Sequence, residues 1–314
     1  MNIKRVLGIT GASAIVLGLS AWHVLFGYVT TEWVADDVIV LQRRNIFRQI
    51  GANVTVYTSA GDSLVVDTQL RPLSSLTSAR IRELVPGTVA TVVVTHWHPD
   101  HSGGIAAYSG DADVVAHENV LRRLSGPQEG FGLTKPGSQH EFPARAEGDL
   151  PGVTISTNDR IRVGTTEVEV RHYPRAHTDG DLVVYIRDSD AVVVGDLIWP
   201  GSFPFIDVHN GGTVEGLEAA LRQLLAESAS DYRFTPGHGQ PIGFDQAVEY
   251  LDMVSQTRAW VESRLDAGKS LEEIADSGLP SKWATWGSAL VPAREWIRMI
   301  RDSRPDVNHG INSL

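Results

Sequence analysis

The 314-residue chain contains no cysteine. That absence removes disulfides, thiolate zinc sites, cysteine nucleophiles and iron–sulfur clusters together, and it leaves the compartment open, because a cysteine-free chain is safe in either redox environment. Basic charge is also scarce: 27 Lys and Arg stand against 38 Asp and Glu, for a formal net charge of -11. There is no dense Lys/Arg run, so a protein that grips a long nucleic-acid backbone is disfavoured. The sequence has no H-E-x-x-H, no G-x-S-x-G and no G-x-x-x-x-G-K-[ST], which sets aside zincin, serine-hydrolase and P-loop chemistry. Residues 6–31 lack Asp, Glu, Lys and Arg altogether. Preceded by Lys4 and Arg5, this largely apolar stretch reads as an export signal, or as an uncleaved anchor that associates with a membrane through residues 6–29. The expectation is a segment 1–30 of that kind, with residues 31–314 as one catalytic domain outside the cytoplasm, periplasmic or membrane-anchored.

Composition is otherwise that of a globular domain, with 42% hydrophobic and 21% charged residues. Residues 38–41, 53–58 and 63–67 read as strands, and 75–85 as a helix stopped by Pro86-Gly87. Val89 to Thr95 is a continuous apolar strand, of the kind covered on both faces. Residues 126–152, rich in Gly and Pro, read as a long loop of the sort that serves as a lid. Further strands are expected at 153–156, 165–171, 182–187 and 191–194, helices at 214–227 and 244–265, and a helical, tryptophan-rich tail from 270. Strands followed by helix, twice over, suggest a layered mixed α/β domain.

The chemistry concentrates at the end of the Val89–Thr95 strand, in His96-Trp97-His98-Pro99-Asp100-His101. In extended backbone, alternate side chains point the same way, so His96 and His98 can reach one cation. Pro99 keeps His98 extended, and Asp100 and His101 fall where a helix could begin, able to face a second cation. More ligands must come from elsewhere. His177 and His238 lie in loops flanked by glycine, and Asp196 ends the apolar run Val192–Gly195, where a carboxylate is costly unless paired. His172 is the rival to His177. His117 reads as a strand-end cap. His140 and His209 could line a cleft. Trp97 reads as packing, Asp181 as a partner of a ligand, and the tail tryptophans as core.

These residues resemble the metallo-β-lactamase-fold superfamily over about residues 35–245, with a helical C-terminal extension over about 245–314. Its H-x-H-x-D-H block is matched at His96, His98, Asp100 and His101, and its later ligands at His177, Asp196 and His238. The resemblance implies a four-layer αββα sandwich. It implies one metal on His96, His98 and His177, a second on Asp100, His101 and His238, and Asp196 bridging. The two divalent ions would be zinc first, with iron or manganese as alternatives. A bridging water made acidic by the ions would attack a small-molecule ester, thioester, lactone or lactam, with Asp100 orienting the nucleophile and shuttling its proton. The ligand set is similar to that of glyoxalase II-type thioester hydrolases. A β-lactamase, a mononuclear iron enzyme like the persulfide dioxygenases, and a metal-binding protein without turnover are the other readings. The oligomeric state is left open.

Overall fold

Strand after strand in this chain is apolar on both faces, and the layering follows from that. In the computed structural model, which describes residues 28–44, 51–85, 87–129 and 141–305, two sheets lie face to face. The first has the order β1-β2-β3-β4-β5-β6-β9. Its members are β1 (Tyr28–Ala35), β2 (Val38–Arg44), β3 (Val54–Ser59), β4 (Asp62–Val66), β5 (Thr88–Val94), β6 (Asp113–His117) and β9 (Val153–Ile155). β1 to β4 are antiparallel neighbours, whereas β4, β5, β6 and β9 run parallel. The second sheet runs β10 (Asp159–Val163), β11 (Thr166–Tyr173), β12 (Asp181–Ile186), β13 (Ala191–Gly195), β14 (Arg233–Pro236) and β15 (Ile242–Gly243) in order.

Alternation along each strand assigns its side chains to layers. Leu64 and Val66 of β4 and Val93 of β5 meet Leu182 and Val184 of β12 and Val193 of β13 between the sheets. Val65, Val92 and Val94 point the other way, toward Ile81 of α1 (Arg71–Leu84) and Val120 and Leu124 of α3 (Glu118–Ser125). On the far side, Val183, Tyr185, Val192 and Val194 pack under α4 (Val214–Ala226) and α5 (Phe244–Asp266). The result is helices, sheet, sheet, helices: the αββα sandwich expected. α2 (Pro99–Ser102) is the single turn of helix within the ligand block.

Several boundaries differ from the sequence reading. β1 begins at Tyr28, inside the segment expected to be an export signal or anchor; residues 1–27 themselves, His23 among them, lie outside the described residues, as do residues 130–140 of the expected lid, with His140, and the tail beyond 305, with His309. Among the described residues, no helix is long and apolar enough to cross a membrane. α1 starts at Arg71 rather than 75, with Pro72 in its first turn, where the missing N–H costs nothing. β10 was not foreseen, because Asp159-Arg160-Ile161-Arg162-Val163 is an edge strand that buries only Val163 fully. The tail is not continuously helical. α6 (Leu271–Ser277) ends at Gly278, held at φ 71, and α7 (Ala293–Asp302) starts only after Pro292. Its tryptophans are core, as expected. Trp296 stacks on Phe203 at 5.8 Å and donates to Thr257 Oγ1 (2.9 Å), while Trp283 Nε1 donates to Gln256 (3.0 Å).

Candidate metal centre

β5 delivers the ligand block. Its strand hydrogen bonding ends at Val94, and the backbone bends through His96, Trp97 and His98, rather than continuing extended, before α2 begins at Pro99. Ser102 Oγ donates back to the carbonyls of Trp97 (2.7 Å) and His98 (2.9 Å), closing the turn. His177 sits ahead of β12, Asp196 follows β13 and His238 follows β14, all at one edge of the sandwich. Gly237 must be glycine: a Cβ there would lie 2.2 Å from Asp196 Oδ1 and 2.6 Å from His101 Cε1.

The seven side chains assemble into two groups, His96, His98, His177 and Asp196, and Asp100, His101 and His238. In the first, His98 Nδ1 is 3.0 Å from both His96 Nε2 and His177 Nε2, which are 3.2 Å from each other. The outer nitrogens fix the tautomers. His98 Nε2 donates to Asp207 Oδ2 (2.9 Å) and His177 Nδ1 to the Phe205 carbonyl (2.7 Å). Thr95 Oγ1 gives its only hydrogen to Asp67, so His96 Nδ1 donates to Thr95 Oγ1 (3.0 Å). Each outer nitrogen carries the proton, so three inner lone pairs converge with no hydrogen between them. A cation resolves that arrangement.

In the second group, His101 Nδ1 donates to Asp67 Oδ2 (2.7 Å), leaving Nε2 facing Asp196 Oδ1 at 3.3 Å. Neither of those facing atoms makes a hydrogen bond, and both are buried. His238 Nε2 lies 3.3 Å from Asp100 Oδ2 and 3.4 Å from Asp196 Oδ2. Asp196 Oδ2 also lies 3.6 Å from His177 Nε2 and 4.0 Å from His96 Nε2. This carboxylate therefore faces both groups. The donor set and its orphaned atoms fit divalent metal ions, with imidazoles and carboxylates as ligands and hydrogen-bonded partners behind them.

The electrostatics divide along the same line. Burial, aided by the neighbouring imidazoles, holds His96 well below its ordinary pKa, and burial lowers His98 and His177 too. These three are neutral, ready to ligate. Burial opposes the charge of His238, but Asp196 and Asp100 outweigh it and push the imidazole up to about 9. Burial likewise works against ionised Asp100, yet His101 and His238 hold it down at about 2. Asp100 is the most exposed carboxylate of the set, at 20% of its side chain against 3% for Asp196.

The other sequence candidates fall elsewhere. His172 is not in either group: it stacks on His117 at 3.7 Å and lies 3.0 Å from the Asp179 carbonyl. His117 caps α3, accepting from Asn119 N–H at 3.2 Å. His209 is exposed on the turn Val208–Asn210. Trp97 is buried against the α1/α3 core, 5.0 Å from the His98 ring. Asp181 touches no ligand; it accepts from Thr178 N–H (2.8 Å) and Thr178 Oγ1 (2.6 Å), bracing the loop just after His177. Sequence reasoning missed Asp67, Thr95 and Asp207. Asp67 carried the signal already used for Asp196, a carboxylate ending an apolar strand (Ser63-Leu64-Val65-Val66-Asp67). Asp207 had the weaker sign of following Phe203-Pro204-Phe205-Ile206.

Residues 48–238 match the family model described as "Metallo-beta-lactamase superfamily". The chain belongs to that superfamily. It is similar to the hydroxyacylglutathione hydrolase of Polaromonas sp. (strain JS666 / ATCC BAA-500), 28% identical over 251 residues, covering 79% of each chain. It is also similar to the acyl-coenzyme A thioesterase MBLAC2 of Bos taurus, 24% identical over 243 residues, covering 68% of this chain and 84% of the relative. Among solved structures, the metallo-beta-lactamase from Pontibacter korlensis shares the fold, with a TM-score of 0.58 at 16% identity over 73% of this chain and 99% of that one.

Proposed function

We propose that the protein is a binuclear metal-dependent hydrolase, with zinc as its resident metal, acting on a small ester, thioester, lactone or lactam. The observation that carries the reading is Asp196, whose carboxylate faces both ligand groups and whose Oδ1 is buried without a hydrogen bond. His96, His98 and His177 would hold one ion, Asp100, His101 and His238 the other, and Asp196 both. Such ions supply Lewis acidity and a water acidic enough to react near neutral pH. The chain's own part is to hold every ligand rigid. Asp207, the Phe205 carbonyl and Thr95 fix the first three imidazoles, and Asp67 fixes His101. Asp100, the most exposed carboxylate and ionised down to about pH 2, is the group placed to orient an attacking water and take up its proton. The relatives named as a thioesterase and as a hydroxyacylglutathione hydrolase favour the thioester end of this range. The apolar, charge-free residues 6–27 support a catalytic domain exported from the cytoplasm; cell fractionation of a tagged full chain tests that part.

The deciding experiment is elemental analysis of the purified full chain, paired with hydrolysis assays on acyl thioesters, lactones, nitrocefin and phosphodiesters. Two zinc ions per chain, lost together with activity in His98→Ala, is the expected result. Preference for nitrocefin would make the protein a β-lactamase. One iron with oxygen uptake and no hydrolysis, or no metal in well-folded protein, would overturn the proposal.

A further inference from the structure

A cavity of about 400 Å³ lies against the turn that carries His98, with Trp97, Pro99 and Gly103 in its wall. Leu124 and Phe142 extend the apolar surface begun by Trp97, and the Phe142 ring lies 6.1 Å from the Trp97 ring. The charged part of the wall is mainly basic, in a chain of net charge -11. It contains Arg71, Arg123 and Arg145 against a single carboxylate, Asp149. Two of the three guanidinium groups have an ion-pair partner. Arg71 pairs with Asp149 at 2.9 Å, and Arg123 pairs at 2.6 Å with Asp179, a carboxylate it shares with Arg122. Arg145 is different. It is half-buried, and among the described residues no carboxylate lies within ion-pair distance of it. Its Nη1 donates to the Ser102 carbonyl (2.6 Å) and its Nη2 to Ser102 Oγ (2.8 Å), which leaves N–H groups of the guanidinium fork without a partner among the described residues. Burial outweighs the pull of Asp149 and, with the like charge of Arg71, lowers the Arg145 pKa, the mark of a cation held in an unfavourable place.

We propose that this cavity binds an amphipathic monocarboxylate, with its apolar body on Trp97, Leu124 and Phe142 and its carboxylate on the Arg145 guanidinium. Asp149 stands in the same wall, so a singly charged head group meets less repulsion there than a phosphate dianion would. The planar fork of arginine matches a carboxylate in two parallel hydrogen bonds, and the volume suits a small ligand. Trp97 and Pro99 flank His98, so the bound acid lies against the turn that carries this residue. Resting on the function proposed above, it is the non-reacting end of the substrate, an acyl compound whose far end carries a carboxylate.

The test is calorimetric titration of the metal-loaded full chain with octanoate and, separately, 1-octanol. Octanoate is expected to bind at one site, at least tenfold more tightly than the alcohol. Arg145→Gln should erase that difference. Ala144→Trp, placed at the exposed rim, should fill the cavity and weaken both ligands tenfold or more, and it keeps the test alive should Arg145→Gln not fold. Equal affinity for acid and alcohol, or octanoate binding unchanged in Ala144→Trp, would overturn the site; the latter would put the carboxylate on the metal ions instead. A second arm compares kcat/KM for thioesters of octanoic acid and of the equally long dicarboxylic acid. A preference for the dicarboxylic acyl group that is lost in Ala144→Trp supports the substrate assignment. Octanoate binding with these dependences but no hydrolysis of either would sink the hydrolase reading and leave the cavity site standing. Hydrolysis with no preference between the two would sink the substrate assignment and leave the hydrolase reading intact.

Discussion

At the scale of single residues, the ligands depend on neighbours that never touch a metal. Asp67 accepts from both His101 Nδ1 and Thr95 and so orients one ligand in each group. Asp67→Asn replaces a charged acceptor with an amide that has a donor end. Metal affinity or kcat/KM should fall by about 10- to 100-fold, the usual cost of losing such a partner, while far-UV circular dichroism stays that of the parent. Unchanged metal content would show that Asp67 only braces the turn. Asp181 gives a pH prediction. Burial pushes its carboxyl up to about 7, against the opposing hydrogen bonds from Thr178. A folded-state pKa above the unfolded value of about 3.9 means that the folded chain holds this proton more tightly. Its contribution to stability is fully present below about pH 4 and is lost as pH rises through about 7, by up to about 1.4 kcal/mol per pH unit within that window. Asp181→Asn cannot titrate, so urea unfolding of the variant should show a flatter pH dependence than the parent between pH 4 and 7. Equal slopes would disprove the assignment.

Elements place those residues, and their ends matter most. α4 starts at Thr213, whose Oγ1 accepts from Gly216 N–H (2.9 Å) and donates to the Arg175 carbonyl (2.9 Å), two residues before His177. Thr213→Ala should cost about 1 kcal/mol of stability in chemical denaturation, as for other lost N-caps, and Thr213→Ser should recover most of it. The loop after β14 is tightly packed in the site. Gly237→Ala would drive a methyl group into Asp196 and His101, so the variant should fold yet lose bound metal, readable by elemental analysis. Retained metal would mean that the loop can shift aside. At this scale the sequence was legible where strands are buried on both faces, as in β5, β12 and β13. It was opaque at β10, where alternating charge hides an edge strand, and between α6 and α7, where Gly278 and Pro292 interrupt a pattern read as one helical tail.

For the whole molecule, metal held at the candidate centre would act as a staple. His96, His98 and His101 come from the first sheet, and His177, Asp196 and His238 from the second, so ions bound among them tie the halves of the sandwich together. Removing metal with a chelator should lower the midpoint of thermal unfolding, and adding zinc back should restore it by mass action, since a ligand that binds only the folded state stabilises it in proportion to the logarithm of its concentration. An unchanged midpoint would mean that the sheets are held by their apolar core alone. On the far face, Trp296 couples α7 to α5 and Phe203; burying so large a side chain there makes the C-terminal helices part of the same cooperative unit.

The sequence by itself determined the block of candidate ligands and the family. His96 to His101 are contiguous, so chain geometry alone brings them together, and His177, Asp196 and His238 announce themselves at the ends of apolar strands. Tertiary structure decided everything that depends on which distant segments meet. It set His177 in the site and His172 outside it, placed Asp67 and Asp207 behind the ligands, and turned Asp196 toward both groups. It also left Arg145 facing a cavity with no ion-pair partner among the described residues. The physical reason is range. A strand or turn is fixed by forces between neighbours in sequence, whereas a buried charge or lone pair takes its meaning from the atoms that packing sets beside it.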